Sequence, residues 1–375
     1  MLLLSGKELY DQAQLFKQTQ DYTNYIIYMT MSANYNYPNA INSIYECNTY
    51  KKQDYSVTIK FYEATTEYSY SIHFLAYMYY NGLCVPKDYA KSLELYELAV
   101  QKGNKQSLRN LAIMYKRGRG VKQNYSKAIE LYELSINKGI NKSLVSLAHM
   151  YENGLGVDVN YEKAIELYES AIEKGIYGPL VHLGYMYETG LYVNKNYVKA
   201  VELYRVAIEK DITESLVYLA RMYKNGWGVE KSYDKAIELY RLGIEKGNII
   251  ALNNLGFLYT NNLGGHQNCL KAKYYYKLAI KKGNTTALNN LGYLYEHGLG
   301  VKRNYMRAYE LYETAIKNGD MYGFHYVVQK YVKDTNYNKL TKLYKIGIKH
   351  NDAQSLINLT QLLKTNQPES EPSLT

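Results

Sequence analysis

Tyrosine recurs every 36 residues along most of this chain. The tyrosines at this spacing are Tyr79, Tyr115, Tyr151, Tyr187, Tyr223, Tyr259, Tyr295 and Tyr331. A fixed period of this length indicates a solenoid, in which each repeat packs mainly against its neighbours. A solenoid also accommodates 375 residues, because its core grows along one dimension rather than around one centre.

Within the repeat at 105–139, two segments carry apolar residues at helical spacing. The first runs from Leu108 to Tyr115 and the second from Ala128 to Ile136. Gly118 follows the first segment, where a left-handed residue can end a helix, and Asn124 precedes the second as a predicted N-cap. Each repeat is therefore predicted to be a helical hairpin, which cannot bury its apolar face alone.

Small residues occupy one column on each helix of the repeat. Such residues let helices approach closely, and we expect Tyr132 to fill the seam between repeats. On the first helix the column reads Ala76, Ala112, Ala148, Gly184, Ala220, Gly256 and Gly292, and on the second Ala128, Ala164, Ala200, Ala236, Ala272 and Ala308.

The repeat reads L-x-x-L-A/G-x-x-Y-x-x-G-x-G-V, followed by Y-x-K-A-x-E-L-Y-x-x-A-I-x-x-G. This motif resembles the Sel-1-like repeat family, whose members are related to tetratricopeptide repeats. Seven copies of 36 residues cover residues 71–320. The resemblance implies an all-α fold, a right-handed superhelical solenoid of antiparallel helix pairs.

The ends of the chain depart from the motif. Residues 1–70 carry eroded repeat features and are predicted to form an N-terminal cap, which repeat arrays need. A small separate helical domain is the alternative for this segment. Residues 321–363 are predicted to form a truncated repeat with a C-terminal capping helix, and 364–375 a disordered tail.

The net charge of +10 is partly a property of the repeat itself. Lysine recurs at the end of each second helix, where a cation complements the helix dipole. A second lysine column precedes a glutamate by three residues, as in Lys91–Glu94, Lys127–Glu130 and Lys235–Glu238, which predicts ion pairs on an exposed face. The cations are therefore spread along the array rather than gathered in one patch.

Three cysteines, Cys47, Cys84 and Cys269, are odd in number and far apart, which favours a reducing compartment. The apolar stretch at the start of the sequence is shorter than a signal peptide requires, and no apolar run elsewhere approaches the length of a membrane span. We expect a cytoplasmic location. Abundant Tyr, Asn, Ile and Lys point to an AT-rich genome such as that of a large DNA virus or a protist, and for a viral chain the compartment would be the host cytoplasm.

Motifs that would indicate catalysis or metal binding have structural interpretations. The G-x-G-V loops follow helices rather than strands, so they indicate turns and not phosphate-binding loops. The seven histidines fall in different repeat columns without a partner at ligand spacing. No nucleophile has an evident base. The sequence therefore predicts no catalytic residue, no metal, no cofactor and no enzymatic activity.

Columns that vary between repeats are the candidates for ligand contact. The resemblance places the columns of residues 109, 113, 116 and 117, here called the groove columns, on a concave face. Tyr185, Arg221, Phe257 and Tyr293 are predicted anchors, since aromatic residues and arginine dominate binding hot spots. Arg109 and Lys224 would supply charge. The full set of predicted contact residues is Tyr77, Arg109, His149, Tyr185, Arg221, Lys224, Phe257 and Tyr293.

These features predict a monomeric, non-catalytic adaptor that binds a peptide or a partner domain. On this hypothesis Arg221→Glu weakens binding without changing thermal stability. The alternative is a nucleic-acid-binding repeat protein, because +10 net charge and 47 tyrosines permit phosphate contact and base stacking. Self-assembly through exposed end repeats is a third possibility.

Overall fold

Helices form where the apolar spacing of the sequence predicts them. The computed structural model describes residues 4–35, 40, 56–83, 85–263, 268–350 and 352–365, and within these ranges it contains helices and no β-strand. It divides into an N-terminal block, Met1–Pro179, and a C-terminal block, Leu180–Thr375. The predicted all-α fold of antiparallel helix pairs is confirmed.

The N-terminal block contains nine helices in its described residues. Successive helices from α4 onwards alternate between first and second helices of a repeat. The helices are α1 (Gly6–Gln18), α2 (Tyr22–Asn34), α3 (Ser56–Ala64), α4 (Ser69–Asn81), α5 (Tyr89–Gln101), α6 (Lys105–Arg117), α7 (Tyr125–Asn137), α8 (Lys142–Glu152) and α9 (Tyr161–Glu173).

The C-terminal block continues the alternation and also contains one short 3₁₀ helix, Met321–Gly323. In each block a first helix packs on the second helix of its own repeat and on that of the repeat before it. The α-helices are α10 (Leu180–Thr189), α11 (Tyr197–Glu209), α12 (Glu214–Asn225), α13 (Tyr233–Glu245), α14 (Ile249–Thr260), α15 (Cys269–Lys281), α16 (Thr286–His297), α17 (Tyr305–Lys317), α18 (Phe324–Lys333), α19 (Tyr337–Lys349) and α20 (Ala353–Thr365).

Capping residues lie at both ends of the helices, as the sequence predicts. Asn124 Oδ1 accepts a hydrogen bond from the Lys127 amide at 2.9 Å, so it satisfies one of the free N–H groups of α7. Gly118 ends α6 with φ = 64°. Tyr192 and Asp211 stand where other repeats have glycine and still adopt φ of 64° and 60°. The repeat therefore imposes the left-handed turn even where the side chain disfavours it.

The small column of the first helices makes room for a buried tyrosine from the second. A Cβ added to Gly256 would lie 2.6 Å from Cε1 of Tyr276, and Gly184 and Gly292 meet Tyr204 and Tyr312 in the same way. These tyrosines are at most 1% exposed. The close approach predicted from the small residues thus serves to hold one ring per repeat.

Lysines of the second helices contact both glutamates and tyrosine rings. Lys127 pairs with Glu130 at 2.9 Å, which confirms one predicted pair. Lys91 Nζ instead lies 4.1 Å from the ring centroid of Tyr79, and Lys235 Nζ lies 5.2 Å from that of Tyr223. The repeated tyrosine that first revealed the period is therefore a cation–π partner within its own repeat.

At the N-terminus, residues of α1 to α3 share one apolar core with α4, including Ala13, Tyr25, Tyr62 and Phe74. Cys47, Cys84 and the part of the predicted disordered tail beyond residue 365 lie outside the described residues. That the first 70 residues cap the array remains a prediction.

Candidate functional site

The candidate site begins with the hydroxyl group of the buried tyrosine. Each repeat from α4 to α17 carries one such ring on its second helix, and a buried hydroxyl needs a hydrogen-bond partner. The rings belong to Tyr96, Tyr132, Tyr168, Tyr204, Tyr240, Tyr276 and Tyr312. Their hydroxyl groups find partners in two ways, and the choice determines which residue is available on the groove columns.

In four repeats the partner lies 16 residues earlier, on the first helix of the same hairpin. Glu152 accepts from Tyr168 at 2.8 Å, Glu188 from Tyr204 at 2.8 Å, and Glu296 from Tyr312 at 2.7 Å. Thr260 is 3.1 Å from the Tyr276 hydroxyl. Burial, together with the bond to Glu188, raises the pKa of the Tyr204 hydroxyl, which remains the proton donor.

In the other three repeats the residue 16 positions earlier is Tyr80, Lys116 or Lys224 rather than a glutamate or threonine. In the first of these repeats the tyrosine bonds to the residue 14 positions later, on the first helix of the next repeat, where Asn110 donates to Tyr96 at 3.1 Å. Burial raises the pKa of Tyr132 and Tyr240, and the polar side chains at the equivalent positions, Ser146 and Asn254, act in the opposite direction. Lys224 is a donor and does not accept from Tyr240 as a glutamate would.

A second feature is an ion pair between adjacent repeats of the C-terminal block. Arg221 Nη2 donates to Glu188 Oε2 at 2.7 Å, and Glu188 is 4% exposed. The guanidinium carbon of Arg221 lies 5.0 Å from the ring centroid of Tyr218, which itself stacks on Tyr204. Burial is the largest influence and opposes the charge on Arg221, but the hydrogen bond and the charge of Glu188, with Tyr204 and Tyr218, together outweigh it and raise the pKa of the guanidinium.

These residues border a pocket of about 400 Å³ between α12, α13 and α14. Arg221 and Lys224 supply two cations, while Tyr218, Phe257 and Val217 supply apolar surface. Lys224 Nζ lies 5.6 Å from the ring centroid of Phe257. Burial, and then the neighbouring charge of Arg221, lower the pKa of Lys224. The pocket thus combines an aromatic wall with positive charge that water only partly solvates.

The sequence of the repeats decides the family. The model of the Sel1 repeat matches residues 69–104, 105–140, 142–176, 180–212, 213–248, 249–284 and 285–320, which is more than half of the chain. The chain belongs to the Sel1 repeat family. Proteins of this family are typically protein-interaction scaffolds that bind protein partners.

Two solved structures show the same fold. One is a protective antigen of uropathogenic Escherichia coli strains with an SLR fold, which is 27% identical over 91% of this chain and 75% of that protein, with a TM-score of 0.65. The other is a Sel1 repeat protein from Oxalobacter formigenes, 27% identical over 65% of this chain and 96% of that one, with a TM-score of 0.56. Among curated proteins no sequence matches this chain.

Within the C-terminal block, the Sel1 repeats bring three predicted contact residues together, since Arg221, Lys224 and Phe257 all line the pocket. Tyr185 adjoins it through Tyr218, with ring centroids 6.4 Å apart. Tyr293 does not line it; its ring lies against His297, with a centroid distance of 4.1 Å.

The N-terminal block holds the remaining three predicted contact residues at separate places. Tyr77 lines a smaller pocket of about 160 Å³ together with Tyr80 and Arg117. His149 Nδ1 lies 2.8 Å from the Tyr168 hydroxyl group and 3.2 Å from Glu152, so it belongs to the tyrosine network. Arg109 is half-buried, and its Nε has no hydrogen-bond partner within the described structure.

The column of residue 109 contains buried as well as accessible side chains, since His73 and Asn289 are 0% and 2% exposed and belong to the interior. Burial lowers the pKa of His73 to about 3. Arg221→Glu is no neutral probe of binding, since it would place a second carboxylate against the buried Glu188.

Sequence reasoning missed Tyr218, Asn254 and Glu188 as parts of the site. Tyr218 and Asn254 share the column of residue 110, which reads Phe74, Asn110, Ser146, His182, Tyr218, Asn254 and Asn290 and varies as much as the groove columns. That variation was a usable signal. The role of Glu188 depends on a contact between repeats, which spacing alone does not reveal.

Among the residues that the structure describes, no three His, Cys, Asp or Glu side chains come together as a metal site would require. Cys269, which belongs to the described residues, is a half-buried free thiol. None of the helices in the described ranges combines the length and apolar composition needed to cross a bilayer.

Proposed function

We propose that this Sel1 repeat protein is a monomeric, non-catalytic adaptor that binds a peptide or a partner domain through the groove columns of its C-terminal block. The pocket formed by Arg221, Lys224, Tyr218 and Phe257 carries this proposal. Arginine and aromatic side chains are enriched in protein-binding hot spots. Membership of a family of protein-interaction scaffolds supports the same function.

Exposed aromatic residues extend this surface on either side of the pocket. Tyr185 is 39% exposed, Phe257 41% and Tyr293 40%, all in the column of residue 113. A column that repeats a large exposed aromatic side chain is unusual for solvated helix surface, where polar residues are favoured. We therefore retain Tyr185 and Tyr293 as contact residues of the proposed function, with Tyr77, Arg109 and His149 as candidates in the other block.

The alternative, nucleic-acid binding, rests on the net charge of +10. Several of the repeated lysines that contribute to it contact tyrosine rings or glutamates of their own repeat, as Lys91, Lys127 and Lys199 do. Charges held in this way are less available to phosphates. The experiment below includes a nuclease treatment so that this alternative has a distinct result.

Full-length protein would be immobilised and used to capture partners from cell lysate, with and without nuclease. The test variant combines Lys224→Glu with Phe257→Ala, and the control is Lys116→Glu, which makes the same charge change in the same column of another repeat. We expect the wild type and the control to capture the same proteins and the double variant to lose them. Nuclease treatment should not change this capture. Equal capture by the double variant, or recovery that depends on nucleic acid, would refute the proposal.

A further inference from the structure

Lys224 is positively charged in a column where three other repeats carry a glutamate. Glu152, Glu188 and Glu296 occupy the equivalent positions and accept the hydroxyl proton of their buried tyrosine. In the repeat of Lys224 the lysine takes the place of that glutamate, so Tyr240 has no carboxylate acceptor there. The repeat thus places a cation where the preceding repeat places an anion, Glu188.

This cation has no ionic partner in the described part of the chain, unlike Arg221, whose charge is matched by Glu188. Its ammonium lies over the Phe257 ring at 5.6 Å, and burial disfavours its charge. A partly desolvated lysine without a counter-ion gains from an arriving anion more than a solvated one does.

One carboxylate does border the pocket, but at its far end. Glu214 is the first residue of α12 and Lys224 lies ten positions further along the same helix. At about 1.5 Å per residue the two positions are about 15 Å apart along the axis. That exceeds the screening length of about 8 Å at physiological salt, so Glu214 does not neutralise Lys224.

Building on the proposed adaptor function, we propose that this pocket binds the carboxylate of an aspartate or glutamate in a partner peptide, with Lys224 as its counter-ion. An apolar or aromatic side chain next to that acid would pack on Phe257 and Tyr218. One uncompensated cation matches one negative charge, which favours a carboxylate over a doubly charged phosphate. Charge complementarity of this kind selects the partner as well as holding it.

Random twelve-residue peptides displayed on phage would be selected on the full-length protein. We expect enriched sequences to carry Asp or Glu within two residues of Phe, Tyr, Trp, Leu or Ile. A synthetic peptide of the most enriched sequence would then be titrated by fluorescence anisotropy. Replacing its acid by the matching amide should weaken binding about tenfold, as should Lys224→Glu in the protein, since both remove one partly desolvated charge pair.

The control Lys116→Glu should leave the affinity within about twofold, because it changes net charge equally but lies in another repeat. Combining the amide peptide with Lys224→Met should cost no more than either change alone, which identifies the two groups as one pair. A version with phosphoserine at the acid position separates the two anion sources, and binding by that version alone would contradict the inference.

The outcomes also separate this inference from the adaptor function. Peptides that bind but lack an acid, or whose affinity Lys224→Glu does not change, would overturn the role of Lys224 and leave peptide binding intact. Failure to enrich any peptide above background, together with no captured protein in the lysate experiment, would overturn both.

Discussion

At the scale of single residues, the hydroxyl group of the buried tyrosine connects the core to the groove columns. Where a glutamate satisfies it, the residue 14 positions later is released from that task and can become aromatic. Tyr218 and Tyr326 occupy such released positions and stack on Tyr204 and Tyr312 at centroid distances of 5.3 and 5.8 Å. Packing of the core therefore decides which side chains can line the site.

The two cations of the pocket should respond differently to charge reversal. Arg221→Glu is expected to lower the free energy of unfolding by about 1–3 kcal/mol, because it removes the cationic partner of the buried Glu188 and adds a like charge. Lys224→Glu should change it by less than about 1 kcal/mol, since it installs the residue that three other repeats use to bond their tyrosine. Denaturant titration of both variants measures this difference, and equal losses would contradict the assignment.

At the scale of the element, left-handed residues define where each helix ends. The second helices end before a glycine with φ between 82° and 91°, as at Gly175, Gly247 and Gly319, and Asp211 adopts φ = 60° in the same column. In this region of φ a residue with a Cβ is sterically strained. The hairpin as a whole therefore imposes the left-handed turn, and glycine adopts it with less strain than other residues.

Gly175→Ala isolates this strain, because no atom lies within 4 Å of the added Cβ. We expect it to destabilise the protein by about 1–2 kcal/mol through φ alone. Gly178→Ala is the matched control three residues away, equally open but without a positive φ. It should be neutral or slightly stabilising. Thermal unfolding of both variants gives the comparison; a similar loss at Gly178 would point to a cause other than the left-handed backbone.

At the scale of the whole molecule, the helices that pack against each other are mainly those that are adjacent in the sequence. Within each block a helix packs mainly on its sequence neighbours, so stability is expected to be a sum of repeat and nearest-neighbour contributions. Damage to one repeat should consequently spread only to the adjacent ones.

Gly256→Ala tests this locality. Its Cβ would lie 2.6 Å from the buried ring of Tyr276, and such overpacking costs about 1–3 kcal/mol. Amide hydrogen exchange should accelerate in residues 213–320 and stay unchanged in residues 69–140, which serve as the control within the same molecule. A uniform acceleration along the chain would show that the array unfolds as one cooperative body.

The period, the hairpins and their caps could be predicted from the sequence because each depends on residues close along the chain. Leu111, Asn124 and Gly118 carry that local information. The column of residue 113 was a sound guide to the pocket, since Arg221 and Phe257 line it. Contacts between repeats could not be predicted from the sequence. The burial of His73 and the pairing of Arg221 with Glu188 depend on which side chains a neighbouring helix presents.

The two ways of satisfying the buried hydroxyl also constrain how such an array can diverge after its repeats are duplicated. A duplicated copy that exchanges its glutamate for lysine loses the partner of its tyrosine, unless an amide or hydroxyl already stands on the following copy. After Lys224 the residue at that position is the amide Asn254. New recognition chemistry in one repeat is therefore expected to depend on the residue that the next repeat places 14 positions after the buried tyrosine.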